Sequence, residues 1–264
     1  MLHGDGEPFL IDYKDEATHF CYVVMKSDIG QHSAFVGKLK SDRYYDLSTP
    51  YSYGGPLSDD AIPRQSQLHF LEEFTLYCMN NRIVSQFIRF HPMLRNQNAA
   101  PLVFESCYLR DTIYIDTTSP ELILANMDSK NRNMVRKAIK NGVSIVRMPI
   151  EEYGDFKAMY EETMIKDGAD AYYAFSDAYF IAQQELKDHT CIFYAMKEGK
   201  PIAGAIMYYN DRFIHYHLAG THTEFRKYSP SNLLLYETAC WASEKGIQGF
   251  HLIDVKKICV LQMI

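Results

Sequence analysis

No Cys-x-x-Cys pair occurs in this chain of 264 residues. Its six cysteines (Cys21, Cys78, Cys107, Cys191, Cys240 and Cys259) are widely spread. That spacing excludes a disulfide framework and reads as reduced, mostly buried thiols in a cytoplasmic protein. Positive charge is not in excess either: the net charge is −6, so DNA binding through a general basic surface is not expected. No apolar run approaches a membrane span. The first residues, Met1 to Gly6, show no basic region followed by an apolar one, so export is not expected. A Walker loop, a Gly-x-Ser-x-Gly elbow and a His-Glu-x-x-His pair are all missing, which removes three common routes to catalysis. Tryptophan occurs once, against 20 tyrosines.

What is present is concentrated first in Tyr44 to Leu57. A strand-like start runs into a turn cluster holding Pro50, Tyr51, Tyr53, Gly54, Gly55 and Pro56. Paired glycines permit positive φ and close approach to bare backbone. Each proline pushes the residue before it into an extended conformation. The expectation is a stiff loop lined by tyrosine rings and hydroxyls, with the composition of a polar ligand wall.

Around that loop the pattern alternates strands and helices. Pro8–Tyr13, Thr18–Met25, Phe35–Leu47, Ile83–Phe90 and Leu102–Thr117 read as extended. A helix is expected over Pro63–Asn80, with Leu68, Leu71, Phe74 and Tyr77 on its apolar side and Asp59 and Asp60 favouring its start. After Ser119-Pro120, a good helix opening, helices are expected at Glu121–Met127 and Ser129–Asn141. Further helices are expected at Glu151–Lys166, Asp177–Lys187 and Ser231–Lys245. Val143–Arg147, Cys191–Met196, Ile202–Tyr209, Phe213–Leu218 and Gly249–Leu252 read as strands. The fold class is α/β, in the α+β sense of mixed, mostly antiparallel sheets. The order of the second half suits an acyltransferase of the GNAT type, and the first half reads as a shorter version. The expected domains are 1–117 and 118–264.

Three constellations bear on chemistry. Arg132, Arg136 and Lys140 fall at i, i+4 and i+8 of one helix, with Val135, Ala138 and Ile139 opposite. Two readings stand for this stripe: solvated cations on a surface helix, or a grip on phosphate by arginine's planar fork. Second, His215 and His217 share one face of a strand. No third metal ligand has a convincing spacing, so packing or hydrogen bonding is favoured and no metal is expected. Third, Tyr172-Tyr173-Ala174-Phe175 reads either as an acceptor channel lining or as packing between helices.

The Asp46–Leu57 and Asn131–Val143 segments together resemble the Fem family of peptidoglycan bridge-forming aminoacyltransferases and their FemAB-like relatives of GNAT fold. The likeness runs on through Arg89-Phe90-His91-Pro92, Tyr114-Ile115-Asp116, Phe156 to Thr163, Tyr216 to Gly220 and Gly249 to Leu252. It implies tandem GNAT-like domains that transfer an aminoacyl group from charged tRNA, or an acyl group from a thioester such as acyl-CoA, to an amine. In the peptidoglycan members the acceptor is an amine of a cell-wall peptide on a uridine-nucleotide sugar. The resemblance implies that Arg132 helps hold that muropeptide precursor and that Asp59 is an acidic position near the acceptor, with Asp60 an equal counterpart. Asp59 would orient or deprotonate the amine; its alternative role is helix capping. The substrate-binding set is then Arg132, Arg136, Tyr51, Tyr53, Gly54, Gly55, Tyr173 and Tyr216. No tightly bound cofactor is expected.

Arg226, Lys227 and Ser229–Asn232 stand where CoA-using GNAT enzymes hold pyrophosphate, without their glycine-rich pattern, which fits the Fem resemblance better than a CoA-using enzyme. Two departures qualify the likeness. Family members have more chain before the segment that resembles His3 to Gly6. After Leu252 the family continues with glycines and a Phe-Lys segment, whereas this chain reads Ile253 to Ile264 with no match. The expectation is a truncated or frame-shifted C-terminus that leaves sheet edges open. The rival functions are a CoA-dependent N-acetyltransferase acting on another small amine, and a catalytically impaired remnant that binds the precursor.

Overall fold

The computed structural model describes residues 6–108 and 111–252, with the backbone of Gln262 and Met263. Two compact units divide between Asp111 and Thr112. In the first, alternating residues make the hairpin of β1 (Glu7–Lys14) and β2 (His19–Asp28), with Glu7 opposite Lys26 and Lys14 opposite His19. Their inward set, Ile11, Tyr13, Phe20, Tyr22 and Val24, is buried. β3 (Tyr45–Ser48) and the short β4 (Leu57–Ser58) both pair antiparallel with β2. α1 (Arg64–Asn80) then leads to β5 (Ile83–Phe87), which runs parallel to β3.

The buried stripe of α1 is Phe70, Phe74 and Cys78, at i, i+4 and i+8. Leu68 and Tyr77 are exposed, so the expected face is rotated. Phe70 decides this: its ring meets Tyr13 edge-on at 5.3 Å and stacks on Phe74 at 5.2 Å. Burial contributes about 1.5–3 kcal/mol for each ring. Two expected strands shorten. Between His32 and Leu39 the chain folds into turns closed by bonds such as Phe35 N–H to His32 C=O, with Gly37 at φ +77°. Val103 and Phe104 reach the core from a turn on Ala100, and the next described strand is β6.

The second unit opens with β6 (Ile113–Asp116), α2 (Pro120–Asn126) and α3 (Ser129–Lys140). Ser119 and Asp128 cap the two helices through Leu122 N–H and Asn131 N–H. Gly142, at φ +74°, ends the turn after α3. β7 (Ser144–Pro149) follows, then α4 (Gly154–Asp167) and α5 (Asp177–Gln183). β8 (Thr190–Lys197), β9 (Lys200–Tyr209) and β10 (Phe213–Thr221) continue an antiparallel meander from β7. α6 (Pro230–Glu244) crosses over to β11 (Gly249–Leu252), which is parallel to β10 and antiparallel to β6. The sheet order is β6-β11-β10-β9-β8-β7. β12 (Gln262–Met263) belongs to the first unit, where it pairs antiparallel with β5. Both sheets are mixed and mainly antiparallel, as the α/β expectation required. The expected break after Leu252 lies in residues 253–261, outside the described residues.

Both faces of the second sheet are covered. Phe193, Ala205, Met207 and Ile214 share one core with Val135 and Ala138 of α3 and Leu233, Ala239 and Ala242 of α6. Ile139, expected in that stripe, is exposed, because the contact with α6 is carried one residue earlier. On the other face α4 lies directly on β10. A Cβ at Gly220 would stand 2.5 Å from the carbonyl carbon of Met159 and the amide nitrogen of Tyr160. Gly220→Ala is therefore expected to cost about 1–3 kcal/mol through overpacking. Chemical denaturation checks this, and an unchanged midpoint would contradict the close approach of α4.

Candidate functional site

The tyrosine and glycine loop of the first unit is held from beneath by side chains. Thr49 Oγ1 donates to Phe87 C=O and accepts from Arg89 N–H at 2.6 Å. Gly54 N–H donates to Arg89 C=O at 2.9 Å. The buried Asn96 is the clamp. Its Nδ2 donates to the Gly54 and Pro56 carbonyls at 2.9 and 3.2 Å, while its Oδ1 accepts from His91 N–H at 3.0 Å. Gly55 has φ +94°, and a Cβ there would lie 2.8 Å from the Phe90 ring. Glycine is thus required at Gly55 by conformation and by space. Tyr51 and Tyr53 are partly exposed on the loop, with the Tyr53 ring 5.6 Å from His91. Burial lowers the His91 imidazole below its ordinary range.

Asp59 is exposed, just past β4. It does not cap α1. The N-cap is Pro63, whose extended backbone delivers the chain with no side-chain cap. Gln67 closes that end instead, donating from Nε2 to Ile62 C=O at 2.7 Å.

In the second unit, Arg132 turns away from its stripe. Its Nη1 donates to the carbonyls of Leu124 and Met127, at the end of α2. A guanidinium there meets the negative end of a helix. Arg136 stays exposed and donates to Asn133 Oδ1 at 3.3 Å. Tyr173 lies by α4, where its carbonyl accepts from Tyr160 Oη at 2.9 Å. Tyr216 packs against the core that holds α3 and α6, and burial pushes its hydroxyl up to about 12. Arg132 and Tyr173 therefore flank opposite faces of the sheet. Tyr216 is a packing residue on the α6 side.

The loop from β10 to α6 is the most constrained segment of this unit. Glu162 of α4 accepts from Thr223 N–H at 2.7 Å and meets His222 Nδ1 at 2.6 Å. Thr163 Oγ1 accepts from Thr221 N–H at 3.0 Å, and Thr221 Oγ1 lies 3.1 Å from Ser231 Oγ. Ser229 takes a left-handed φ of +58° so that Pro230 can begin α6. Asn232 Nδ2 bridges to Asn131 Oδ1 of α3 at 3.0 Å. No side chain caps the start of α6, so the first-turn N–H groups of Ser231 and Asn232 form an end suited to an anion.

The strands β10 and β11 also carry a polar cluster that reading along the chain missed as a unit. His215 and His251 sit opposite one another on the parallel strands β10 and β11. Their rings stack at 5.0 Å and their Nδ1 atoms are 2.8 Å apart. His217 Nε2 bonds to Tyr179 Oη of α5, and its ring lies 4.3 Å from Tyr208. Tyr208 Oη donates in turn to Gln183 Oε1. His215 and His217 were visible as an i, i+2 pair. Their partners come from α5, β9 and β11, which no local spacing reveals. Among the described residues no group of three or more potential ligands is placed to hold a metal, and no helix is long and apolar enough to cross a membrane.

Residues 129–254 match the family model for an acetyltransferase (GNAT) domain. That part of the chain has a GNAT-type fold. The chain as a whole is similar in fold to FemX, with a TM-score of 0.64 at 12% identity over 92% of this chain and 78% of that one. It is also similar to the C-terminal domain of a putative lysylphosphatidylglycerol synthetase from Agrobacterium fabrum, with a TM-score of 0.60 at 11% identity over 94% and 70% of the two chains. A conserved protein of unknown function from Bacteroides thetaiotaomicron aligns with a TM-score of 0.56 at 11% identity, over 92% and 75%. No curated protein matches the sequence.

Two outcomes follow from this geometry. Asn96→Ala removes two bonds to the loop of the first unit and one to His91 N–H, and is expected to cost about 1–3 kcal/mol for the polar groups left buried, read by urea unfolding. The Glu162 carboxyl is held down from 4.5 to about 2 by its bonds to His222 and Thr223. A lowered carboxyl stabilises the fold above its unfolded value and loses that contribution as pH falls toward the folded one. Glu162 is partly exposed, so the contribution is about 1 kcal/mol or less. Glu162→Gln is expected to be less stable than wild type at pH 7, with the gap closing between about pH 4.5 and pH 2. A gap independent of pH in thermal melts would contradict this.

Proposed function

We propose that this protein transfers an aminoacyl or acyl group to an amine acceptor in the manner of the Fem-type enzymes, in the cytoplasmic steps of bacterial cell-envelope biosynthesis. The observation that carries the reading is the β10–loop–α6 segment. β10 runs on to Thr221, and the bonds of Thr221 and Thr223 to α4 fix where the chain leaves the strand. The uncapped start of α6 offers N–H groups to a phosphate on the donor.

The reaction forms a C–N bond as the acceptor amine attacks the acyl carbon. The amine must lose a proton, and the ester or thioester bond of the donor must break. Donor identity separates the two readings. A charged tRNA is favoured by the loop itself, which has no glycine between Thr221 and Pro230 and gives up one N–H at Pro230. The likeness in fold to FemX over most of the chain supports the same choice. An acyl-CoA donor acting on another small amine is the second reading, favoured by the acetyltransferase description of the matched family. In the second unit the reading assigns phosphate contacts to Arg132 and Arg136.

A thermal-shift screen of acetyl-CoA against a uridine-nucleotide muropeptide separates the readings. Protection by the muropeptide, weakened about tenfold or more in Arg132→Ala, is the expected result. Protection by acetyl-CoA alone would instead establish the second reading.

A further inference from the structure

We propose that His215 is the base that takes the proton from the attacking amine, and that His251 holds it in the tautomer able to do so. The inference rests on the acyl-transfer reading. His215 is the last β10 residue in register with β11 and is partly exposed, whereas His251 is fully buried. Their Nδ1 atoms are 2.8 Å apart. A hydrogen bond between two imidazole nitrogens needs one to carry the proton and the other to accept it. His251 is shut into the sheet, with Phe250 before it also fully buried, so charging it would cost heavily. Burial favours a neutral His251, and of the two neutral pairings we assign the one in which it accepts at Nδ1 and carries its proton at Nε2. His215 then donates from Nδ1, which puts its lone pair at Nε2. A proton gained there makes an imidazolium whose Nδ1–H already points at a neutral acceptor.

This is the relation between a base and its orienting group in many acyl-transfer sites, with imidazole in place of a carboxylate. The amine proton passes to His215 Nε2 as nitrogen attacks the acyl carbon. The same proton returns to the oxygen or sulfur that leaves as the ester or thioester bond breaks, so the ring ends neutral. Among the described residues, His217 on β10, Tyr208 on β9, Tyr179 on α5 and Tyr114, which stands opposite His251 on β6, are titratable groups close to the pair.

Two measurements on the full chain test the assignment. Long-range ¹H–¹⁵N spectra of wild type, with His215 identified by comparison with His215→Gln, should show the proton on Nδ1. A proton on Nε2 overturns the proposal whatever the activity. In transfer assays with an aminoacyl-tRNA or an acyl-CoA donor, His215→Gln is expected to lose about 100-fold or more in kcat, with the acceptor KM within about threefold. His251→Phe should lower kcat and move the acid limb of the pH profile to lower pH, because the imidazolium loses its acceptor. His251→Asn, which retains an acceptor oxygen, should recover much of that loss. Transfer that survives His215→Gln overturns the base alone. No transfer by wild type from either donor overturns the acyl-transfer reading and the base with it.

Discussion

One extra residue in β10 governs the second unit. Tyr216 stands opposite Met207 and Leu218 opposite Ile206, so His217 has no counterpart on β9. Strand side chains alternate, and a slip of one residue turns a whole set to the wrong face. The bulge uses that rule. Before it, Ile214 and Tyr216 enter the core beneath α6. At the bulge, His217 and Leu218 both face α4 and α5, and Ala219 returns to the α6 side. Without the extra residue Leu218 would enter the α6 core and Gly220 would leave the contact with α4. The cost of either error is of order 1–3 kcal/mol.

The surroundings of the loop depend on that register. Because Gly220 meets the α4 backbone, Glu162 and Thr163 one turn further on can reach Thr223 and Thr221. Those bonds fix where the chain leaves β10, and so where Ser229 and Pro230 start α6. The same alternation brings His215 onto the face shared with His217, where a parallel neighbour supplies His251. Packing, loop geometry and the polar cluster are consequences of one strand. In the first unit the corresponding constraint is Asn96, a single buried amide that ties the Gly54–Pro56 loop to the backbone at His91.

Much of the fold could be read along the chain. Alternation marked β1 and β2, because a half-buried strand must alternate, whereas β8 and β9, covered on both faces, show as near-continuous apolar runs. Ser119-Pro120 and Gly142 bounded helices by local chemistry. Phe35–Leu47 and Leu102–Thr117 were misread because apolar residues in turns look like strand residues until their partners are known. The α1 face was misjudged for a related reason: Leu68, Leu71 and Tyr77 satisfy helical spacing as well as Phe70 and Cys78 do. Only the aromatic cluster around Tyr13 and Phe20 chooses between them.

The site divides in the same way. Local sequence determined that Gly55 needs its glycine in a tight loop, that Ser119 caps a helix, and that His215 and His217 share a face. Those properties depend on φ, on side-chain reach and on a period of two, all of which act within a few residues. Tertiary structure decided that Arg132 is drawn to the end of α2, that Tyr216 is a core residue, and that His215 lies against His251. In each case the deciding partner is remote in sequence or competes with solvent, and its contact exists only once the helices have packed and the strands have paired in register.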